Sequence, residues 1–383
     1  MEVKKLKECC TIIAGQSPES KYYNSNGDGL PFFQGKADFG ELYPSIRVYC
    51  SQPTKIAEKD DILLSVRAPV GPTNLAPCKV CIGRGLTAIR PSEVLLTRYV
   101  LLFFRYFEAQ LASKGTGTTF KAITQDVVKN LEIPIPPLPE QDRIGARIEE
   151  LFSQLDAGVE TLKKTKAQLV VYRQAVLKEA FEDCIDSVTM GSVATMIDPQ
   201  PSHRTPPEFE NGIPYIGIGD IDYTGKTIRF KDARKVNPAV YEEHLQRYTL
   251  REGDFVMGKI GTIGKPFRLP LPQNYTLSAN VILIQPDAEK INPEYLFWQF
   301  SSPLITEQLM EGKNETSQPA FGIQKARLLQ IKMCSPDAQD RIVYDIREKI
   351  SVCENIEQTV TLTLQQAEAM RQCILKDAFE GKM

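Results

Sequence analysis

The chain has 383 residues, of which 42% are hydrophobic and 25% are charged, enough for two or three folded domains. No apolar run approaches the roughly 20 residues that a membrane-spanning helix needs. The first residues, MEVKKLKECC, lack the apolar segment of a signal peptide. Nine cysteines, an odd number, fit reduced thiols, so we expect a cytoplasmic protein and exclude membrane proteins and disulfide-rich secreted proteins.

The formal net charge of −2 is unevenly distributed along the chain. Residues 1–139 carry four more basic than acidic side chains, and residues 187–335 carry equal numbers. Residues 140–186 and 336–383 each carry three more acidic than basic side chains. An anionic partner is therefore expected to meet the first and third segments.

Residues 1–139 are predicted to form a mixed domain of short strands and few helices. Leu6–Ile13 is predicted as a strand or a helical turn, and the runs GLPFFQG and DDILLSVRAPVG as strands bounded by glycine and proline. A helix is predicted over Thr97–Ala112 and a helical turn over Asp126–Asn130. The last run, LEIPIPPLPEQ, contains prolines 134, 136, 137 and 139 and is predicted as a stiff, extended lead-in to the long helix.

The next stretch, Gln141–Glu182, occurs twice in the chain. Its second copy, Gln339–Glu380, aligns without a gap at an offset of 198 residues, with about 17 identities over about 42 positions. Each copy has the apolar spacing of a coiled-coil seam and is predicted as one helix, about 60 Å long at 1.5 Å per residue. The seam residues are Ile144, Ile148, Leu151, Leu155, Leu162, Leu169 and Val176 in the first copy, and Ile342, Ile346, Cys353, Ile356, Val360, Ala367, Met370 and Ile374 in the second.

The apolar stripe on each long helix needs a partner, and the other copy in the same chain can supply it. Each helix follows its own globular segment, so we expect an antiparallel coiled coil with pseudo-twofold symmetry and one head at each end. The predicted fold class is therefore α+β, with two mixed α/β heads joined by two long helices. The expected boundaries are residues 1–139, 140–186, 187–335 and 336–383.

The segment 187–335 repeats the order of the first head in diverged sequence. GIPYIGIGDI corresponds to GLPFFQGKAD, and GDFVMGKIGTIG corresponds to DDILLSVRAPVG. NPEYLFWQF corresponds to TRYVLLFFRYF, and FGIQKARLLQIKMCSPDAQ corresponds to FKAITQDVVKNLEIPIPPLPEQ. The two helical copies are more similar in sequence than the two heads are, which indicates that the heads perform different versions of one task.

Residues suited to catalysis are scarce. His203 and His244 are expected on the surface, and Cys78 and Cys81 form a lone CxxC without a second pair at zinc spacing. GKIGTIGK departs from the phosphate-loop pattern and is predicted as a strand with a tight turn. NPEY, at residues 292–295, is predicted as a helix start with an asparagine cap and a proline in the first turn.

Binding residues are the better prediction, because both heads have glycine-rich polar loops with basic and amide side chains. Such side chains suit phosphates and base edges, although each alone is more commonly a solvated surface residue. The DNA-binding candidates are Gln34, Lys36, Arg67, Arg84, Lys114, Thr116, Thr118, Thr119 and Lys121 in the first head, and Arg204, Lys226, Lys259, Thr262, Ser278, Asn280, Lys313, Asn314, Gln324 and Lys325 in the second.

Two motifs carry a family resemblance. The run IPIPPLPEQDRIGARIEELFSQLD with its ending YRQAVLKEAFE, and the terminal LKDAFEGKM, resemble the conserved regions of specificity subunits of Type I restriction-modification systems. KGTGTTFKAI resembles the loop that this family carries before its proline-rich segment. The second helix departs from the pattern, with SPDAQDR in place of PPLPEQ.

The resemblance implies a chain without catalytic activity, whose two target recognition domains each bind one half of a bipartite double-stranded DNA sequence. The paired helices would set the spacer and dock two methyltransferase subunits, which supply S-adenosylmethionine. ATP-dependent restriction subunits, with Mg, would complete the complex; no cofactor or metal is expected on this chain. The alternatives are a two-headed coiled-coil scaffold without nucleic-acid binding, and an enzyme that uses Cys78 and Cys81.

Overall fold

A computed structural model of the protein describes residues 2–116, 121–260, 263–311 and 321–383. The fold is mixed α/β, as predicted. The chain divides into two compact units, the first made of residues 1–163 and 361–383 and the second of residues 164–360. Among the described residues, no helix is both long enough and apolar enough to cross a lipid bilayer.

The elements up to the end of the first long helix are β1 (Glu2–Lys5), α1 (Leu6–Cys9), β2 (Cys10–Ala14), β3 (Tyr23–Asn24), β4 (Leu30–Phe33), β5 (Tyr49–Cys50), β6 (Ile56–Ala57), β7 (Ile62–Ser65), β8 (Thr73–Leu75), β9 (Val80–Ile82), β10 (Leu86–Pro91), α2 (Thr97–Ser113), α3 (Gln125–Lys129), β11 (Glu132–Ile135) and α4 (Leu138–Glu179). The remaining elements are β12 (Asp186–Thr189), α5 (Met190–Val193), β13 (Ala194–Ile197), β14 (Ile213–Ile216), β15 (Ile221–Asp222), β16 (Thr227–Ile228), β17 (Lys235–Val236), α6 (Pro238–Leu245), β18 (Phe255–Gly258), β19 (Pro266–Arg268), β20 (Thr276–Leu277), β21 (Val281–Pro286), α7 (Pro293–Phe300), α8 (Pro303–Glu311), α9 (Ile323–Arg327), β22 (Gln330–Met333) and α10 (Pro336–Phe379).

The first unit is built on a four-stranded antiparallel sheet in the order β2-β10-β7-β8. A second sheet, β3-β5-β4-β9-β6, contains the parallel pair β4 and β9, and β1 pairs with β11. The buried runs of β7 and β10 and the aromatic face of α2, with Phe103 and Phe104, form the core. Ile144 of α4 and Leu375 of α10 also belong to this core, so both long helices cover the head.

The second unit repeats this plan. Its four-stranded antiparallel sheet has the order β13-β21-β18-β19, β12 pairs with β22, and β14 and β20 form the parallel pair. Leu177 of α4 and Ile346 of α10 are buried in its core. The correspondence predicted between the two heads is therefore confirmed element by element: β4 with β14, β7 with β18, and α2 with α7.

The two long helices begin earlier than predicted, at Leu138 and Pro336. Pro139 therefore lies inside the first helical turn, where its missing N–H has no partner to lose. The extended segment is shorter than predicted and is itself a strand, β11, which pairs with β1. Proline at the start of a helix and in an edge strand is compatible with both assignments.

Contacts between the long helices occur inside each unit. In the first unit Arg371 pairs with Asp156, and the Arg143 guanidinium donates to the Met383 carbonyl at 2.9 Å. In the second unit Arg173 pairs with Glu357 at 2.7 Å. Early residues of α4 thus meet late residues of α10, and late residues of α4 meet early ones.

Burial along the predicted seam is uneven. Ile356 and Met370 are exposed, whereas Leu375 and Ala378, one and four residues after Ile374, are buried. An α-helix has 3.6 residues per turn, so a strict seven-residue repeat drifts around its surface and the buried stripe moves to neighbouring positions. The buried seam residues are Ile144, Ile148, Leu169, Val176, Ile346, Cys353, Val360 and Ala367, and Leu151, Leu155, Leu162, Ile342 and Ile374 are half-buried.

Candidate nucleic-acid interface

Four loops of the first unit are joined by backbone hydrogen bonds. Gly83 N–H donates to Phe33 O at 2.8 Å, Val66 N–H to Gly85 O at 3.0 Å, and Ile123 N–H to Val66 O at 3.0 Å. We call residues 34–35, 66–67, 83–85 and 121–123 the first loop frame. Because main-chain groups hold it together, its outward side chains can vary without loss of the frame.

The second unit contains an equivalent second loop frame, residues 217–218, 259–260, 278–280 and 321–322. Its hydrogen bonds run from Ser278 N–H to Ile216 O at 2.8 Å, from Lys259 N–H to Asn280 O at 2.8 Å, and from Phe321 N–H to Lys259 O at 2.9 Å. The strand register places these three bonds at the positions of the three bonds in the first frame. The two heads share one main-chain arrangement.

The two loop frames carry their larger side chains at opposite positions. In the first frame Gln34 faces two glycines, and a Cβ at Gly85 would lie 2.3 Å from the Gln34 carbonyl oxygen. In the second, Gly217 occupies the position of Gln34, and Ser278 and Asn280 occupy those of the glycines. A Cβ at Gly217 would lie 2.9 Å from Asn280 Oδ1. The amide group therefore comes from a different loop in each head.

The described candidates of the first head are all exposed. Gln34, Arg67, Arg84 and Lys121 lie on the first loop frame, and Lys36 follows it in a 3-10 turn. Lys114 caps the end of α2, and Thr116 bridges Ala122 next to the frame. Thr118 and Thr119 lie outside the described residues.

A partly buried carboxylic acid lies near these cations. Burial raises the pKa of Glu108, although the positive charges of Lys36 and Arg105 oppose this effect. Burial also lowers the pKa of Arg105. The positive charges of Lys36 and Arg105 therefore offset part of the effect of burial on Glu108.

In the second head, Lys259, Ser278 and Asn280 lie on the second loop frame. The Lys259 ammonium pairs with Asp198 at 2.8 Å, and Asn280 Oδ1 accepts a hydrogen bond from Ile218 N–H at 3.1 Å. Gln324 and Lys325 are exposed on α9, next to the frame, and Arg204 is exposed in the loop after β13. Thr262, Lys313 and Asn314 lie outside the described residues.

Lys226 is placed away from the second loop frame. Its ammonium pairs with Glu354 on α10, and both side chains line a cavity of about 640 Å³. The cavity is otherwise largely apolar, and the Arg268 guanidinium lies 3.5 Å from the centre of the Phe297 ring. Lys226 therefore belongs to the contact between head and helix in this unit.

The expectation that both histidines lie on the surface is wrong for His244. His203 is exposed, but His244 on α6 is 1% exposed. Its Nδ1 lies 2.5 Å from Thr276 Oγ1 and its Nε2 lies 2.6 Å from Gln200 Oε1. Burial lowers the pKa of His244. The short amphipathic helix carrying it gave no sequence signal for the partners, which come from distant loops.

Sequence reasoning also missed polar residues that support the loops. Asp198 holds Lys259, Ser17 Oγ accepts from Arg84 N–H at 3.2 Å, and the Arg229 guanidinium donates to the Gly219 carbonyl. Asp198 and Lys259 are 61 residues apart in sequence and Ser17 and Arg84 are 67 apart, so no local motif marks these pairs.

Other chemistry is limited in the described part of the chain. NPEY is confirmed as a helix start, since the Asn292 side chain accepts hydrogen bonds from the first turn of α7. The described residues of GKIGTIGK include Gly258, the last residue of β18, and Gly264, which has a φ of 77° and lies just before β19. Burial raises the pKa of Cys81, which lies in β9, and no group of three potential metal ligands occurs among the described residues.

Comparison with known proteins finds sequences that are similar to parts of this chain. Residues 1–169 match the family model described as Type I restriction modification DNA specificity domain. The chain is 40% identical to the MjaX specificity subunit of Methanocaldococcus jannaschii over 43% of this chain, which is 38% of the relative's length. It is 21% identical to the type I restriction enzyme EcoBI specificity subunit of Escherichia coli, over 76% of this chain and 67% of the relative.

A solved structure is also similar. The HsdS subunit of Thermoanaerobacter tengcongensis shares 48% sequence identity over 41% of this chain and 38% of that chain, with a TM-score of 0.38. Residues 1–169 are thus similar in sequence to the type I DNA specificity domain. The chain is similar to specificity subunits of type I restriction enzymes, and it spans 38% of the length of the first of these relatives.

Proposed function

We propose that this chain is the sequence-specific DNA-recognition subunit of a Type I restriction-modification complex, and that each head binds one half of a bipartite target. The observation that carries the proposal is the repeated loop frame with different side chains in the two heads. One main-chain arrangement with exchanged side chains is what two different half-sites require. The family match supports the same role.

The chemistry of the frames suits double-stranded DNA. Arginine can donate two hydrogen bonds to guanine, and asparagine or glutamine can pair with adenine. Arg67, Arg84 and Gln34 supply these groups in the first head, and Lys259 and Asn280 in the second. Lys36, Lys114 and Lys121 suit phosphates, which position a protein without specifying sequence.

The long helices are proposed to form an antiparallel coiled coil that sets the spacer and docks two methyltransferase subunits. Support comes from the opposite order of helix contacts inside each unit and from the acidic helical segments, which suit protein docking better than DNA contact. In this proposal residues 1–139 and 187–335 are the target recognition domains, and residues 140–186 and 336–383 are the conserved helical regions. The pseudo-twofold repeat then matches a two-part target.

Catalysis is proposed to reside on partner subunits. Methyltransferase subunits would supply S-adenosylmethionine, and restriction subunits would use ATP with Mg, so this chain would be a non-catalytic, cytoplasmic component. These assignments follow from the family resemblance. The comparisons give no support to the alternative of a scaffold without nucleic-acid binding.

The proposal is tested by sequencing methylated bases in the host genome with and without this gene. Loss of a split adenine-methylated motif is expected in the deletion strain, and an unchanged methylation pattern would rule the proposal out. Exchange of residues 1–139 for the head of a relative should change one half-site only. Exchange of residues 187–335 is the matched experiment and should change the other half.

A further inference from the structure

A buried glutamine joins the first long helix to its head. Gln141, in the first turn of α4, is 1% exposed. Its Oε1 accepts a hydrogen bond from Leu96 N–H at 2.8 Å, and its Nε2 donates to Val94 O and Pro136 O, each at 2.8 Å. Both amide hydrogens and the carbonyl oxygen are therefore used on main-chain groups that have no helical or strand partner there.

The second unit contains the same arrangement. Gln339, in the first turn of α10, is 2% exposed. Its Oε1 accepts from Asn292 N–H at 2.9 Å, and its Nε2 donates to Cys334 O at 3.0 Å. Asn292 immediately precedes α7, just as Leu96 immediately precedes α2.

These contacts join two elements at a fixed angle. In each unit one amide side chain holds the last residues before the long helix and the residue that starts the main helix of the head. Buried hydrogen bonds to main-chain groups are directional, and their loss leaves unpaired polar atoms in a dry environment. The amide therefore resists rotation of the head about the base of the long helix.

The length of the helices makes this angle important. A helix of 42 residues is about 60 Å long at 1.5 Å per residue. A tilt of about 5° at one end displaces the other end by about 5 Å, which exceeds the roughly 3.4 Å rise of one base pair. A small change at the glutamine would thus correspond to a change of spacer.

We propose that Gln141 and Gln339 are positioning residues that fix the angle between each head and its long helix, and thereby the spacer that the complex accepts. This inference rests on the proposed DNA-recognition function. The two glutamines do not contact DNA in this proposal; they act through the helices that carry the heads. The second head has an additional link, because Asn292 Nδ2 donates to Asp340 at 2.7 Å, so Gln141 is the more sensitive position.

The test uses the full chain together with its methyltransferase subunits in a host that carries a plasmid library. The library presents the wild-type half-sites with spacers from two base pairs shorter to two base pairs longer. The variants are Gln141→Met and Gln339→Met, which keep the side-chain size and remove the hydrogen bonds. Gln154→Met, an exposed position on α4, is the matched control.

The measured quantity is the ratio of methylation at neighbouring spacers to methylation at the wild-type spacer. This ratio is taken within each variant, so it does not depend on how much complex folds. We expect it to rise about tenfold or more for Gln141→Met, less for Gln339→Met, and not at all for Gln154→Met, with the half-site bases unchanged.

An unchanged ratio in both glutamine variants, with only a lower total of methylated sites, would overturn the inference and leave a purely structural role. A change in half-site bases would also overturn it, because it would mean that the glutamines act on the recognition surface. Absence of any split motif for the wild-type chain would instead overturn the proposed function, and this result is read from the wild-type sample alone.

Discussion

The side-chain amide of Gln285 donates a 2.5 Å hydrogen bond to the carboxylate of Asp254. The first unit has Arg90 and Asp61 at these positions, joined by two hydrogen bonds of 2.8 and 2.7 Å. Burial raises the pKa of Asp254, although the Gln285 amide and the Arg251 N–H oppose the effect. The two heads therefore hold the same buried acid with partners of different charge.

This difference predicts unequal effects of neutralising the acid. Asp254→Asn should change the free energy of unfolding by less than about 1 kcal/mol at neutral pH, because it removes a buried charge and keeps an acceptor. Asp61→Asn should cost about 1.5–3 kcal/mol, because Arg90 loses a charged partner. Denaturant unfolding with hydrogen exchange of β7 and β18 would measure both. Equal losses in the two variants would contradict the prediction.

A pH dependence is expected at Glu294 on α7. Burial acts to raise the pKa of Glu294, but the Arg347 and Arg268 guanidinium groups, at 2.8 and 2.6 Å, outweigh it and hold the pKa below its ordinary value. An acid with a lowered pKa stabilises the fold above its unfolded pKa of about 4.3 and loses that contribution as the pH falls through the folded value.

Glu294→Gln should therefore lower stability by about 1–3 kcal/mol at pH 7 and by progressively less as the pH falls below about 4. Urea midpoints measured between pH 7 and pH 3 would show the convergence of variant and wild type. Glu289→Gln, at an exposed position, is the control. A constant difference across this range would mean that the charge pairs are not the cause.

Two glycines inside α4 provide a test of helix propensity. A Cβ at Gly158 would meet no atom within 4 Å, whereas a Cβ at Gly145 would lie 3.3 Å from Arg98 Nε. Gly158→Ala should raise stability by about 1 kcal/mol, the helix propensity difference between the two residues. Gly145→Ala should gain less, because Arg98 must shift. Thermal unfolding of both variants would measure the two gains in stability. A larger gain for Gly145→Ala than for Gly158→Ala would contradict this prediction.

The exposed Arg84 on the first loop frame is predicted to contribute to DNA affinity. If its guanidinium binds a phosphate, Arg84→Ala should weaken binding to all sequences alike and reduce the salt-dependence slope by about 1. If it binds guanine, the loss should be about 1–3 kcal/mol and confined to one base pair of the first half-site. Binding of the purified complex to duplexes at several salt concentrations distinguishes these outcomes. Unchanged affinity at every salt concentration would remove Arg84 from the interface.

Substitution of Lys259 is predicted to weaken DNA recognition at the second half-site only. Lys259→Val installs the residue found at the equivalent position, Val66, and leaves the Asp198 carboxylate without its 2.8 Å partner. In this variant, altering the bases of the second half-site should weaken binding of the duplex by less than it does for the wild-type chain. The first half-site should keep its full contribution, and a loss there would argue against independent heads.

The long helices and the repeat could be predicted because their signals are local. A seven-residue apolar pattern without internal proline over about 42 positions determines a helix whatever its partners are. The NPEY cap is likewise encoded in consecutive residues. The predicted start of α4, Gln141, is later than the observed start, Leu138, because Pro139 is equally compatible with an extended segment and with a first helical turn.

The loop frames could not be predicted for a physical reason. They are held by main-chain hydrogen bonds between segments far apart in sequence, and such bonds leave no pattern in side chains. The exchange of Gln34 for Gly217, and of Gly85 for Asn280, becomes visible only when both heads are superimposed through their strands. The burial of His244 could not be predicted either, because its side-chain partners Thr276 and Gln200 lie outside its own helix.

The core of the first unit includes Leu131 from the end of its head and Leu375 from the end of α10. Roughly 240 residues separate them, and translation at about 5–20 residues per second takes about 10–50 s over that distance. During this time the apolar surface of the first head that Leu375 covers in the folded chain is therefore exposed. The second unit is continuous in sequence and is complete before that surface is covered. The order of synthesis thus makes the first head the one that depends on protection from aggregation.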